Sequence, residues 1–301
     1  MESAVTRLHV TVVIATLLVP HGPAWGQNSD GPIDPRADAP IAVSLMTFNI
    51  RTAEGRDGDN AWPHRKYVVA ETIRRFDPHI VGLQEALGEQ IEFLEASLPE
   101  YRWLGVDRGL NGGTGLSEAT PLFYRYREVV PIESGTFWLS PTPELPGRRG
   151  RGSRIVTWAR FYHLESGREL YVFNTHFTLR RGQRQIQAAE QINARIAGLP
   201  PESAVVVMGD FNAVAEWDRT WEVATSQGLR DAWLLAEQRH GPSVTSNGFG
   251  PPPPDREGRI DWILVSGPIG VSTVSTVVHS QGSRYPSDHY PVLATLLIGG
   301  R

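Results

Sequence analysis

The order of the apolar runs constrains this chain more than any other feature: most are short, β-type and bounded by turn residues, and only a few recur at helical spacing. The folded region is read as starting at Ile41, where Val43 to Asn49 alternates β-branched and apolar residues and forms a strand with a polar tip. Tyr67, Val68, Ala70, Ile73 and Phe76 predict a helix that stops at Asp77-Pro78, and Ile80 to Leu83 a buried strand ending on Gln84-Glu85. Ile91, Phe93, Leu94 and Leu98 suggest a second helix, stopped by Pro99. Pro121 to Tyr126, Val129 to Leu139, Ile155 to Leu164 and Glu169 to Asn174 read as successive antiparallel strands. Arg184 to Ile196 is amphipathic, Ala204 to Met208 is a short strand, and Trp217 to Gln227 is expected to be helical. After a loop from Val244 to Gly258, the strands Ile260 to Val265, Val271 to Val278 and Val292 to Ile298 complete the set. βα units flanking β-rich stretches predict mixed sheets packed face to face with helices outside, a layered α/β sandwich of one domain.

The polar residues at the strand ends carry the chemistry. Asn49 and Glu85 close two strands, His176 follows a third, Asp210 and Asn212 follow a fourth, Asp261 opens a fifth, and Asp288-His289 precede the last. Any one of them alone reads as a turn former, a surface charge or a structural histidine. Ligand-type residues at so many strand ends on one rim are not explained by turn chemistry. Hard oxygen donors without any cysteine suit Mg²⁺, Mn²⁺ or Ca²⁺, with Glu85 and Asp288 supplying charge and Asn49 a neutral oxygen. Paired imidazoles and an aspartate beside such an ion can move protons and meet anionic oxygens, which is what phosphoryl transfer asks for.

Residues 1–26 read as a secretory signal peptide: Arg7 and His9, an apolar run from Val10 to Val19, a break at Pro20, and Ala24-Trp25-Gly26 before Gln27. The run is about half of the roughly 20 residues a spanning helix needs, so export without a transmembrane segment is expected. Residues 27–40, rich in Asp, Pro and Gly, are read as a flexible leader and residues 41–301 as the functional domain. The absence of cysteine excludes disulfides and thiolate zinc sites, and a net charge of −4 gives no general field that would draw in nucleic acid.

Six segments stand in a recognisable order: Thr47-Phe48-Asn49-Ile50-Arg51, Gly82-Leu83-Gln84-Glu85, Asn174-Thr175-His176-Phe177, Gly209-Asp210-Phe211-Asn212-Ala213, Arg259-Ile260-Asp261-Trp262-Ile263 and Ser287-Asp288-His289-Tyr290-Pro291-Val292. From about Ile41 to Ile298 the chain resembles the endonuclease/exonuclease/phosphatase superfamily, the deoxyribonuclease-I-like group, and within it an exported bacterial branch. The resemblance implies a four-layer α/β/β/α sandwich with the site at one edge of both sheets. It implies a phosphoesterase using Mg²⁺ or Mn²⁺ on nucleic acid, a phospholipid headgroup or a small phosphate ester, acting as a monomer. By the same resemblance Glu85 is the principal metal carboxylate, with Asn49 and Asp288 supporting it. Asp210 handles the attacking water, Asn212 is its neighbour at the phosphate, and His176 and His289 flank the scissile group. Asp261 is expected to orient His289, and Glu118 to do the same for His176. Thr178-Leu179 and Ser246-Asn247 depart from the branch pattern and put substrate preference in question.

Arg148, Arg149, Arg151 and Arg154, with Arg180, Arg181 and Arg184, read either as a solvated basic face or as a phosphate-binding rim, and Arg154 and Glu118 are taken as substrate-side residues. The tryptophans are expected mostly in the core. A non-catalytic phosphate-ligand module on the same fold is the competing reading, and the intact set Glu85, Asp210, Asn212, Asp288 and His289 argues against it.

Overall fold

The computed structural model describes residues 39–109, 117–145, 154–180, 182–252 and 258–299. The signal-peptide reading, nearly all of the leader, and Arg148, Arg149, Arg151 and Arg181 lie outside them.

Strand β1 (Ile41–Asn49) runs through α1 (Trp62–Phe76) into β2 (Ile80–Gln84), and the two strands pair in parallel. Asp77 ends α1 in a left-handed conformation, its N–H on the Ile73 carbonyl, and Pro78 bars continuation. Tyr67, expected on the apolar stripe of this helix, is 64% exposed and lies against Phe93 instead. Next come α2 (Gly88–Ser97), β3 (Tyr101–Leu104) and β4 (Leu122–Arg125), then the long antiparallel pair β5 (Val129–Trp138) and β6 (Ile155–His163). Strand β7 (Glu169–His176) crosses through α3 (Gln183–Ala197) to the parallel β8 (Val205–Asp210). Short elements follow: α4 (Arg219–Ala224), β9 (Arg230–Asp231), α5 (Ala232–Leu235) and β10 (Gln238–His240). Strands β11 (Asp261–Ser266), β12 (Ile269–Thr276) and β13 (Val292–Ile298) close the chain. Helix α4 begins at Arg219, so Trp217 falls before it and is 85% exposed, against the expectation for the tryptophans.

These strands form two sheets, one ordered β10-β12-β13-β1-β2-β4-β3 and the other β5-β6-β7-β8-β11-β9. Strand alternation decides which core each residue enters. Leu45 of β1 and Val206 and Met208 of β8 meet between the sheets, with Ile80, Val172, Ile263 and Ala294. Met46 and Phe48 point the other way, into a layer with Val69, Ile73 and Leu94 of α1 and α2. Val205 and Val207 meet Ala189 and Ile192 of α3 on the opposite outside. The result is the four-layer α/β/β/α sandwich. Each of these side chains larger than alanine, fully buried, contributes about 1.5–3 kcal/mol.

Direction matters for the site. β11 is antiparallel to β8 and β13 is antiparallel to β1, so the starts of β11 and β13 share a rim with the ends of β1, β2, β7 and β8. The described helices include none long and apolar enough to cross a membrane.

Candidate active site

Register sets the first row of the site. His176 lies opposite Asp210 across the parallel β7–β8 pair, and Asp261 lies opposite Asp210 on its other side across β8–β11. Directly opposed residues on neighbouring strands project from the same face, so the imidazole and the two carboxylates stand side by side. Gly209 is needed for this approach: its φ is +154°, and a Cβ there would sit 2.1 Å from the Thr175 carbonyl oxygen. Phe211 stacks on Trp262 at 4.2 Å between ring centres, on the helix side, which leaves Asp210 and Asn212 for the rim. His289, just before β13, places Nδ1 2.9 Å from Asp261 Oδ2.

The other sheet supplies Asn49 and Glu85. The Asn49 amide nitrogen donates to Glu85 Oε1 (3.1 Å) and to Asp210 Oδ2 (2.9 Å), tying the two sheets together. Glu85 Oε2 accepts the backbone N–H of Thr52, and Asp210 Oδ1 that of Asn212. Arg51, Glu85 and Asn212 all hold left-handed backbone, with φ of 55°, 60° and 49°. Such conformations cost a non-glycine residue on the order of 1–3 kcal/mol, and strain of this kind concentrates at functional sites.

A model of the endonuclease/exonuclease/phosphatase family matches residues 46–289. The chain belongs to that family. A solved family member from Bacteroides vulgatus is 34% identical, with 85% of this chain and 98% of that one covered and a TM-score of 0.79. The mannosyl-6-phosphatase of Bacteroides thetaiotaomicron VPI-5482 is 28% identical, with 84% and 99% covered and a TM-score of 0.76. Nocturnin of Drosophila melanogaster is 26% identical over 167 residues, half of this chain, and the match spans 24% of that protein's length. Members of the endonuclease/exonuclease/phosphatase family are hydrolases of phosphate esters that use divalent metals.

Within this family member the charges of the site are set by burial and by one another. Burial, then the charge of Asp261, pushes the Asp210 carboxyl up to about 7. Burial by itself would lower His289, but Asp261 and Asp210 override it and hold that ring well above the ordinary histidine range. His176 goes the other way: burial, then the positive charge of Arg154, holds it well below that range. Asp288 is raised, chiefly by burial, and the nearby charge of Glu85 adds to the rise.

The expected partner of His176 is not the one found. Glu118 pairs with Arg108 (2.9 Å) and more distantly with Arg154 (3.7 Å), and it is Arg154 Nη1 that lies 2.9 Å from His176 Nδ1. A guanidinium stands where a carboxylate was expected. Asn49 also differs from expectation as an oxygen ligand. Its oxygen accepts the Arg51 N–H at 2.9 Å and its NH₂ faces the carboxylates, so it bridges the two acids as a donor.

Does this donor set fit a divalent cation? Among the described residues, Glu85, His176 and Asp210 bring ligand atoms within 4.8 Å of one another, as do Asp210, Asp261 and His289. Asp210 is sealed at 1% exposure beneath its donors, whereas Glu85 is half-buried. Each Glu85 oxygen spends one acceptor position on an N–H and keeps another free. A hard, oxygen-binding cation fits at Glu85. Asp288 belongs to neither group; Ser287 donates to its Oδ1, and Arg51 Nε is 3.8 Å from its Oδ2.

Three supporting residues were missed in the sequence. Asn174, fully buried, donates to the carbonyls of Leu83 and Pro121 and accepts from Gln84, linking the sheets one layer below Glu85. Arg65, also fully buried, donates to the carbonyls of Ile50, Arg51, Asn60 and Pro286, and so pins the chain after Asn49 to the loop that carries Asp288. Thr245 accepts the N–H groups of Ile260 and Asp261. The signal for Arg65 was its place in a helix otherwise apolar on that face, and that for Asn174 its place at the head of the segment that carries His176; Thr245 left none.

Proposed function

We propose that this protein hydrolyses phosphate esters with Mg²⁺ or Mn²⁺ at Glu85, that its substrate is a small phosphate ester, and that it works outside the cytoplasm. The observation that carries the chemistry is the row His176–Asp210–Asp261, in which a buried carboxyl poised at about 7 is tied by one amide to the exposed-side carboxylate Glu85. A base titrating near working pH is best placed to take a proton from water. In this reading Asp210, pinned by the Asn212 N–H, accepts the proton of the attacking water. His289, kept charged by Asp261, hydrogen-bonds the phosphoryl oxygens and passes its proton to the leaving oxygen. Asp288 lends charge beside Glu85. A cation bound at Glu85 would supply positive charge to the phosphoryl oxygens.

Two relatives bear on the substrate. The one named a mannosyl-6-phosphatase matches nearly end to end, which favours a sugar phosphate or similar small ester. Nocturnin matches over only a quarter of its length and carries less weight. Export rests on the pattern of residues 1–26 alone.

A turnover panel tests the reading. Residues 27–301 would be assayed with sugar phosphates, inositol phosphates, single- and double-stranded DNA, RNA and sphingomyelin, in Mg²⁺, Mn²⁺ or chelator. Cation-dependent phosphate release from the small esters, lost on Asp210→Ala by about 10²–10⁴-fold, is expected. Cleavage of nucleic acid or lipid alone would overturn the substrate class. Undiminished turnover in Asp210→Ala would overturn the mechanism.

A further inference from the structure

The two imidazoles of the site have opposite partners. Asp261 Oδ2 lies 2.9 Å from one ring nitrogen of His289, and Arg154 Nη1 lies 2.9 Å from one ring nitrogen of His176. We propose that Arg154 keeps His176 neutral with its ring proton on Nε2, so that His176 serves the phosphate as a fixed hydrogen-bond donor and, of the two imidazoles, only His289 exchanges protons. The tautomer stands on geometry; the division of labour rests on the phosphoesterase reading above.

The argument is one of donors and lone pairs. A guanidinium only donates, and a neutral imidazole has one N–H and one lone pair. With Arg154 against Nδ1, a proton on Nδ1 would set N–H against N–H. An imidazolium would do so with two positive charges in contact. Nδ1 therefore presents its lone pair, and the ring proton is on Nε2. On that side Nε2 faces Asp210 Oδ2 at 3.5 Å and the Asn212 amide nitrogen at 3.0 Å. That amide is anchored on the Phe177 carbonyl, so both it and Arg154 compete for the single lone pair. The charged donor wins, because charge-assisted hydrogen bonds are about twice as strong as neutral ones. Nε2–H then points to Asp210 in the free protein and is available to a phosphoryl oxygen in the complex.

The surroundings of Arg154 enforce the same result. Arg108 and Arg154 share one carboxylate, Glu118, and the buried Arg108 Nη1 and Arg154 Nε have no hydrogen-bond partner among the described residues. Among the described residues, the charged groups around the ring are thus Arg154, Arg108 and the Glu118 they share on the Nδ1 side, Asp210 and Glu85 on the other, and His289 beyond. The side against Nδ1 carries surplus positive charge. Groups of one chemical kind pushed apart by their settings divide acid, base and donor roles between them. Arg154 acts through His176 and is a positioning residue.

The experiment is ¹⁵N NMR of the imidazole nitrogens of the full chain, in Mg²⁺ and in chelator, between pH 5.5 and 8.5, with His176→Gln for assignment. The expected spectrum has a pyridine-like Nδ1 and a pyrrole-like Nε2 for His176, unchanged across the range. Two pyrrole-like nitrogens at the acidic end, or the proton on Nδ1, would overturn the proposal. Arg154→Met should let the ring proton move to Nδ1, leaving the Nε2 lone pair to the Asn212 amide, and Arg154→Lys should restore the fixed tautomer. If Arg154→Met does not fold, the wild-type spectrum decides. In turnover, His176→Ala should lose about 10²–10³-fold, as for a lost oxyanion donor. His176→Gln, which keeps an N–H there, should be at least tenfold faster than His176→Ala. Equal losses would overturn the donor role. A protein inactive on every ester would remove the phosphoesterase reading, and the spectrum would still decide the tautomer.

Discussion

Replacing Asn174 with alanine tests whether a polar link between the sheets holds the site together. The Asn174 amide donates to the Leu83 carbonyl at 2.9 Å and to the Pro121 carbonyl at 3.0 Å, and its oxygen accepts from Gln84 Nε2 at 2.7 Å. Pro121 keeps the Leu83 N–H, and Gln84 Nε2 keeps Thr47 Oγ1 and the Gly82 carbonyl, so those two partners lose only the net worth of one bond each, about 1 kcal/mol. The Leu83 carbonyl loses a buried donor, about 1–3 kcal/mol. With the small void left behind, the total is about 4 kcal/mol. For a domain of this size that lowers Tm by about 10 °C. Urea unfolding monitored by tryptophan fluorescence, alongside kcat measured well below Tm, reads both consequences. Glu85 follows Gln84 directly, so kcat should fall further than in Ile192→Ala, a core truncation of comparable cost on the outer helix side. A stability loss under 1 kcal/mol would refute the link, and equal kcat in the two variants would refute its bearing on the site. Gly82→Ala attacks the link from the other side, since a Cβ there would meet Asn174 Oδ1 at 2.6 Å.

The site should also leave a mark on stability in chelator. Asp210 sits at about 7 in the folded protein against an ordinary 3.8, so between about pH 4 and 7 the folded form holds a proton that the unfolded chain has released. Stability therefore falls as pH rises through that window, by at most about 4 kcal/mol. His289, also raised, gives stability that is lost as pH climbs through its folded value. Melting temperature in chelator should be lower at pH 8 than at pH 5.5, the gap should narrow in Asp210→Asn, and Mg²⁺ should raise the pH 8 value; a Tm that climbs with pH in chelator contradicts the reading. Arg65→Met removes four hydrogen bonds to carbonyls and should cost about 4 kcal/mol or more by chemical denaturation. It should also raise the Mg²⁺ concentration needed for half-maximal turnover, because the loops bearing Asn49 and Asp288 lose their common anchor.

Much of the architecture was legible because local pattern and global fold agree. Val43–Asn49, Ile80–Leu83 and Ala204–Met208 are short apolar runs whose polar ends fall on one rim, and strand direction alone put Asp261 and Asp288-His289 there too. What escaped was set by distant partners. Strands β9 and β10 have two and three residues and exist only through their neighbours, and Tyr101–Leu104 has no alternation of its own. Glu118 is read from sequence as orienting His176 and Arg154 only as a substrate-side residue; which of them touches the ring depends on how β6 and the chain before β4 pack. Asn49 was read as an oxygen donor because the residue has one; only the Arg51 N–H beneath it turns that oxygen away. Trp217 looked like core because tryptophans usually are, yet it lies outside any helix that could bury it.

Glu85 and Asp210 belong to different sheets, and Leu45, Val206, Met208 and their neighbours fill the space between. The core is thus a spacer: how closely that hydrophobic layer lets the sheets approach sets the distance between the two carboxylates, whose ligand oxygens lie within 4.8 Å at the rim. A methylene added or removed deep in that layer alters the gap across which a phosphoryl group must fit. Substitutions far from any reacting atom can in this way retune which substrates are accepted, with every polar residue of the rim unchanged.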